Sequence, residues 1–475
     1  MTHRTSPLSH AAVAGTLAGL LALAGCMNLT PEYRRPAAPV PSSYAPDWSA
    51  SAPVGEPPAG ELDWQQFFTD ARLRRLVEIA IQNNRDLRVA VLNIEQARAM
   101  YQVKRADELP TIGAGLTAQR EPGVTGAPVS SVALGVQLSS YELDLFGRVR
   151  SLSSVALAQY LSTEQARRAA QIALVAAVAT VHVSMLADDE LLRVTDQALK
   201  TRADSLDLTR LKFDHGAASE LDFRQAEQLL EGARVALAQA RRQRAQDENA
   251  LVLLLGQALP SDLPAAQGLG RGQGAVDVPA GLPSDLLTRR PDVLAAEQQL
   301  VAANANIGAA RAAFFPRITL TGTAGTASTQ LSGLFRSGSF AWTGVASLVQ
   351  PIFDAGRNQA NLQVAVVGRD IALAQYEKSI QTAFREVSDA LAARVTLDEQ
   401  LRAQVAQTRA AQTAYTLSDL RYRNGAASYL EVLDAQRSLF LAQLATVQVQ
   451  AQQVQNGVLL YKALGGGWTA PTSTN

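Results

Sequence analysis

The chain has 475 residues, with 43 basic and 43 acidic side chains, so its formal net charge is zero. That balance excludes the basic excess of a phosphate-binding surface, and no nucleic-acid partner is expected. A hydrophobic share of 47% supports a folded core, while one Cys and four His exclude a disulfide and a multi-ligand metal centre, so no metal or other cofactor is expected.

Residues 1–25 have the three-part layout of a secretory signal peptide: a cationic start with Arg4, an apolar run from Ala11 to Leu23, then Ala24-Gly25. The apolar run is too short to span a bilayer as a mature helix. The chain's one Cys follows, and Leu23-Ala24-Gly25-Cys26 resembles a bacterial lipobox, which makes Cys26 the candidate lipidation site. An ordinary signal peptide followed by a chance Cys is the plainer alternative. Met27 stands where an Asp would resemble an inner-membrane retention signal, so an outer-membrane destination is expected. Residues 26–61 are rich in Pro, Ala, Ser and Gly and read as an extended tether. Beyond residue 26 the longest apolar stretch is Ile172–Val181, ended by His182 and then by Asp188 and Asp189, so no transmembrane helix is expected.

The remainder repeats itself once. Ala97–Pro110 aligns with Ala303–Pro316 at an offset of 206, and Leu211–Ser219 aligns with Leu420–Ser428 at 209. A period near 200 signals a duplicated half of domain size rather than a solenoid unit. The repeats are placed at residues 62–260 and 284–465, with a linker at 261–283 and a tail at 466–475. The linker holds Gly268-x-Gly270-x-Gly272-x-Gly274, which follows no strand and opens no helix, and so does not read as a phosphate loop.

Each repeat opens with a helical segment, about 64–109 or 284–315, ending at Pro110 or Pro316. Strand-like segments follow at Thr111–Gln119 and Val132–Asp144, then at Arg317–Thr329 and Phe340–Ile352. They are rich in Gly, Thr, Ser and Val and have the length of a tilted strand crossing a bilayer. Two soluble hairpins are the alternative reading. Long helical stretches follow, Arg148–Leu211 without Pro or Gly, and Asn358–Arg423 with only Gly368. Near the end, Phe440, Leu444, Val447, Ala451, Val454, Val458 and Tyr461 step by four and three, a coiled-coil repeat.

Each long helix breaks at a glycine. Cationic residues precede Gly216 (Arg210, Lys212) and Gly425 (Arg421, Arg423), where they complement a helix C-terminus. Gly216 and Gly425 are expected at positive φ, and Ser219-x-x-Asp222 and Ser428-x-x-Glu431 to restart the helices as capping boxes. Each repeat thus predicts a long antiparallel helical hairpin. Four membrane-length strands cannot close a barrel, so the chain is expected to assemble, and three copies supply twelve strands.

The run Leu420-Arg421-Tyr422-Arg423-Asn424-Gly425-Ala426-Ala427-Ser428-Tyr429-Leu430-Glu431-Val432-Leu433-Asp434-Ala435-Gln436-Arg437 is similar to the hairpin-tip motif of outer-membrane efflux proteins of the TolC/OprM type. With Cys26 and the duplicated strands, the chain resembles their lipoprotein subgroup over about residues 62–465. The resemblance implies a mainly α chain with a membrane β-barrel: a homotrimer with a 12-stranded barrel and an α-helical periplasmic tunnel, set in outer-membrane lipid. It also implies docking, through a periplasmic adaptor, with an inner-membrane resistance-nodulation-division pump. Gly216, Ala217, Gly425 and Ala426 are the expected adaptor-contacting tips. Leu430 and Asp434, four apart on one helix face, are the expected periplasmic gate, as an apolar constriction and an acidic ring. Tyr422 and Arg423 are implied to hold its closed state. Solvation of Asp434, coiled-coil packing of Leu430, and helix-end roles for Arg421 and Arg423 are the plainer alternatives. His215 departs from the small or aliphatic residue expected at the first tip.

The expected function is a passive exit duct for drugs or other small molecules. A type I secretion or metal-export outlet is the alternative within the family. A non-conducting periplasmic coiled-coil lipoprotein, such as an adaptor or envelope spacer, is the alternative outside it. No G-x-S-x-G, Walker or H-E-x-x-H motif is present, and enzymatic activity is not expected.

Overall fold

The structure, a computed structural model, describes residues 27–44, 62–122, 126–269 and 289–466. Residues 1–26, including the signal peptide and Cys26, lie outside the described residues, as do most of the linker and the tail from 467. The helices are α1 (Trp64–Phe67), α2 (Ala71–Asn83), α3 (Arg85–Ala106), α4 (Arg148–Asp214), α5 (Glu220–Leu255), α6 (Pro291–Ala312), α7 (Arg357–Arg423) and α8 (Tyr429–Ala463). The strands are β1 (Ile112–Pro122), β2 (Pro128–Leu143), β3 (Arg317–Ser328) and β4 (Phe340–Val349). Two compact units draw on both repeats: one takes residues 93–164 and 295–377 with the start of the chain, the other 38–92, 165–294 and 378 onward.

In the first unit the strands form one antiparallel sheet in the order β1-β2-β3-β4. The sequence foresees β1 with β2 and β3 with β4, but not the pairing of β2 with β3, which joins the two repeats edge to edge. Its register runs from Val132↔Ser328 to Leu143↔Ile318, with a bulge between Leu138 and Tyr141. Gly135 faces Gly325 in this ladder, and a Cβ on either residue would collide with the backbone of the other strand. Pairing of β1 with β2 continues to Pro122↔Pro128, into the stretch read as a loop. β1 and β4 are the outer strands of the sheet, and Phe340, Trp342 and Leu348 are exposed along one face of β4.

The start of the chain is pinned within this unit. Arg35 donates twice to Glu297 (2.7 and 2.8 Å), Tyr33 Oη donates to Glu297 (3.0 Å), and Asn304 Nδ2 donates to Pro31 O (2.7 Å). Residues 27–37 are thus extended, as a Pro-rich composition requires, but held along α6 by named contacts.

α4 and α7 are each 67 residues long, about 100 Å of uninterrupted helix. The expected first helical segment is instead three helices. Asp70 interrupts it, accepting from the N–H groups of Arg72 (2.8 Å) and Leu73 (3.4 Å) to cap α2. Asn84 interrupts it again, its Oδ1 accepting from Leu87 N while its Nδ2 donates to Leu254 O, both at 2.9 Å. Aromatic packing closes the same end of the second unit: Phe67 stacks on Tyr461 at 4.0 Å between centroids, and Tyr461 Oη donates to Leu62 O.

No transmembrane helix is expected from the sequence, and α4 contains an 18-residue window apolar enough to cross a membrane by length and composition alone. From Ala169 to Ala187 the chain carries no Asp, Glu, Lys or Arg, so the run continues past His182. In this fold 56% of that window is buried, Val175, Val178, Ala179 and Val183 fully so, and it serves as the core of the second unit. His182 Nε2 donates to the Asp70 cap at 3.2 Å, both side chains being buried. Burial alone would raise the Asp70 pKa, but the bonds from His182 and the α2 backbone hold it below the usual carboxylate value.

Candidate functional site at the hairpin tips

Both tips end their helices in the same way. Gly216 and Gly425 have φ of +73° and +74°, and no atom lies within 4 Å of a Cβ built on either. Their glycines are therefore required by backbone conformation rather than by crowding. In the first tip Gly216 N donates to Phe213 O and Ala217 N to Lys212 O; in the second, Gly425 N donates to Tyr422 O and Ala426 N to Arg421 O. These paired bonds define a Schellman motif and satisfy carbonyls at the end of α4 and of α7. Ala217 and Ala426 lie exposed beside their glycines, on the outside of each turn. His215 turns back, its Nδ1 donating to Leu211 O at 2.8 Å, and also serves the helix end.

The restarts differ. Ser219 and Asp222 form the expected reciprocal capping box at α5. At α8 the box is absent, and the expectation for Ser428 and Glu431 is corrected. Arg421 Nη1 takes the Glu431 carboxylate at 3.2 Å, so that carboxylate bridges the turn instead of closing on the Ser428 N–H. Arg421 Nη2 also donates to Ala426 O, in the turn beyond the last residue of α7.

Side chains of the two hairpins meet within the second unit. Lys212 Nζ donates to Tyr422 Oη at 2.8 Å. Tyr422 packs tilted against Tyr429 at 5.2 Å, and Tyr429 Oη shares a 2.7 Å hydrogen bond with Ser205 Oγ. Beneath them Ala226, Tyr429, Val432 and Leu433 form a small buried cluster. The sequence singles out Tyr422 but assigns Lys212 only to its own helix end and omits Ser205 and Tyr429. By the repeat offset Lys212 corresponds to Arg421, so the contact joins non-equivalent positions, and the duplication could not reveal it.

Leu430 and Asp434 are exposed on α8, whereas Val432 and Leu433 are buried. Leu430 is 57% exposed, which removes coiled-coil packing within the chain as its role. Asp434 is exposed and paired with Arg437 at 2.5 Å. The two share one free helix face, as their spacing requires. Arg423 is not brought to either: it pairs with Asp419 one turn back in α7, at 2.8 Å. Among the described residues no group of three or more His, Cys, Asp or Glu is placed to hold a metal ion.

The family described as outer membrane efflux protein matches residues 76–257 and again 282–466. The chain is 48% identical to the probable efflux pump outer membrane protein TtgC of Pseudomonas putida, over 95% of this chain and 94% of that one. It is 47% identical to the outer membrane protein OprJ of Pseudomonas aeruginosa, over 96% of each. The solved open state of the Neisseria gonorrhoeae MtrE outer membrane channel superposes with a TM-score of 0.86 at 40% identity, covering 94% of this chain and all of that one. The fold is that of the trimeric outer-membrane channels, with a helical tunnel and a β barrel. The chain belongs to the outer membrane efflux protein family.

Proposed function

We propose that this outer-membrane efflux protein is the exit duct of a tripartite pump, passing small organic molecules from periplasm to exterior without chemistry of its own. The observation that carries the reading is the four-stranded sheet with β1 and β4 as its outer strands. Lipid tolerates no open strand edge, and a membrane barrel needs about eight strands or more. Three chains pairing β4 with the next β1 supply twelve.

In this reading the tips carrying Gly216, Ala217, Gly425 and Ala426 meet a periplasmic adaptor, which couples the duct to an inner-membrane resistance-nodulation-division pump. Leu430 and Asp434 line the periplasmic mouth, where three copies give an apolar ring and an acidic ring. Tyr422 holds its hairpin to the neighbouring one through Lys212, and Arg423 supports the same helix end through Asp419. Cys26 carries the lipid anchor. Relatives named for toluene, solvent and antibiotic efflux point to apolar solvents and amphiphilic drugs as cargo.

Expression in a strain lacking its own outer-membrane efflux channel, together with a matching adaptor and pump, tests the reading. Resistance to toluene and to amphiphilic antibiotics should return, and cysteines placed at Ala217 and Ala426 should cross-link to the adaptor. Unchanged sensitivity at normal protein level would contradict it. The anchor is tested separately: radioactive fatty acid should label the parent and not Cys26→Ser, and label kept by the mutant would sink the lipidation assignment.

A further inference from the structure

Charged side chains on the long helices mostly pair or stand in solvent, but two on α4, Asp188 and Arg202, are buried. Arg202 of α4 is 5% exposed and has no carboxylate partner among the described residues. Its Nη1 donates to Leu229 O at 2.9 Å, and its guanidinium lies over the Phe440 ring, 4.7 Å from the centroid. A guanidinium stays protonated even where burial pushes its pKa down, as it does here, so the positive charge remains in place. One carbonyl and one ring face leave most of its five N–H donors without an acceptor.

Those donors border a cleft of about 200 Å³, several times the volume of a water molecule. Thr201, Tyr415, Gln436 and Phe440 stand on its wall with Arg202. Gln436 is itself buried, and its Oε1 has no hydrogen-bond donor, while its Nε2 reaches Tyr415 Oη only at 3.5 Å. Turning the amide by half a rotation would let Oε1 accept from the Tyr415 hydroxyl.

We infer that this cleft, formed by Arg202, Gln436 and Thr201 between the two hairpins, binds a small oxyanion, either a free inorganic ion or a small carboxylate. A guanidinium fork matches two oxygens of such an ion. The bound anion neutralises the buried charge and ties α4 of the first hairpin to α8 of the second. Leu430, Asp434 and the glycines of the tips take no part, so the site is separate from the mouth of the duct and stands or falls independently of it.

Isothermal titration calorimetry on the full-length protein in detergent, at fixed ionic strength in sodium chloride, tests the inference with sulfate, phosphate and acetate. The parent should show saturable binding of one ion per chain. Tighter binding of sulfate and phosphate than of acetate identifies an inorganic ion, and the reverse order identifies a carboxylate. Arg202→Gln should weaken binding at least about tenfold, since it removes the charged donor to the ion. Arg224→Gln, at an exposed arginine of α5, should leave it unchanged. If Arg202→Gln does not fold, Arg202→Lys, which keeps the charge and loses the fork, should weaken binding and decides instead. Absence of saturable binding in the parent, or unweakened binding in the folded variants, would overturn the site.

Discussion

The Lys212 ammonium lies 4.3 Å from the centroid of the Tyr422 ring while its Nζ donates to the hydroxyl of the same residue. One side chain of the first hairpin therefore engages both the face and the polar tip of one in the second. A half-buried cation–π contact contributes about 1 kcal/mol, and the charge-assisted hydrogen bond a similar amount. Lys212→Met should remove both, and Tyr422→Phe only the hydrogen bond. Amide hydrogen exchange should then rise within residues 205–235 and 420–440, more in the first variant than in the second, while the β-strands keep their protection. Equal protection in all three proteins would remove this contact from the account of the closed tip.

Gly425→Val tests the turn and the docking role together. A β-branched residue at φ +74° costs about 1–2 kcal/mol, and the turn must distort to relieve it. Trimer formation should survive, because the tip packs on nothing that a Cβ would strike, while efflux should fall. Normal drug resistance at normal protein level would leave the glycine with a turn-closing role alone.

The join between repeats rests on Gly135 facing Gly325. Gly325→Val should push β3 off β2 and sharply lower the yield of folded trimer extracted from membranes. Gly344→Ala, where an added Cβ meets only the Trp342 ring edge at 3.8 Å, should be tolerated. Similar yields from the two variants would show that the ladder accommodates a side chain between β2 and β3.

Much of this was legible in the sequence, and the failures have a common cause. The left-handed glycines and the positions of the four strands follow from local pattern and are found where it places them, although β1 and β2 run on into the stretch read as a loop. The β2–β3 pairing depends on residues about 190 positions apart, and the missing capping box at Ser428 on Arg421 reaching Glu431 across the turn. The distant support of the Asp70 cap comes from His182, and the pinning of residues 27–37 depends on Glu297. None of these partners is implied by spacing. At the tips the sequence supplied Leu430, Asp434 and Tyr422, but a contact between non-equivalent residues of the two repeats needed coordinates.

Acidity gives a further handle on the helical unit. Asp188 of α4 is 4% exposed, and its Oδ2 has no donor. Burial, then the neighbouring Asp247 and Asp189 carboxylates, push its pKa up to about 7 against the opposing pull of Arg244. A carboxyl with a raised folded-state pKa binds more protons in the folded chain than in the unfolded one. Its contribution is therefore full below about pH 4 and is lost as pH rises through about 7. Thermal unfolding of Asp188→Asn should lose that decline and exceed the parent in stability at pH 8, by about 1–3 kcal/mol. Parallel pH profiles of parent and variant would show that folding leaves the acidity of Asp188 unchanged.

The central claim is that three copies of this chain make one conducting pore, closed at the mouth lined by Leu430 and Asp434. Single-channel recording in planar bilayers tests it most directly. The parent should insert as a trimer giving small, cation-preferring conductance steps. Leu430→Ala with Asp434→Ala should enlarge those steps and reduce the preference, and in cells it should admit vancomycin from outside. Protein that runs as a monomer in detergent and yields no conductance would contradict the channel itself. A double variant conducting like the parent, with unchanged cation preference, would place the constriction elsewhere.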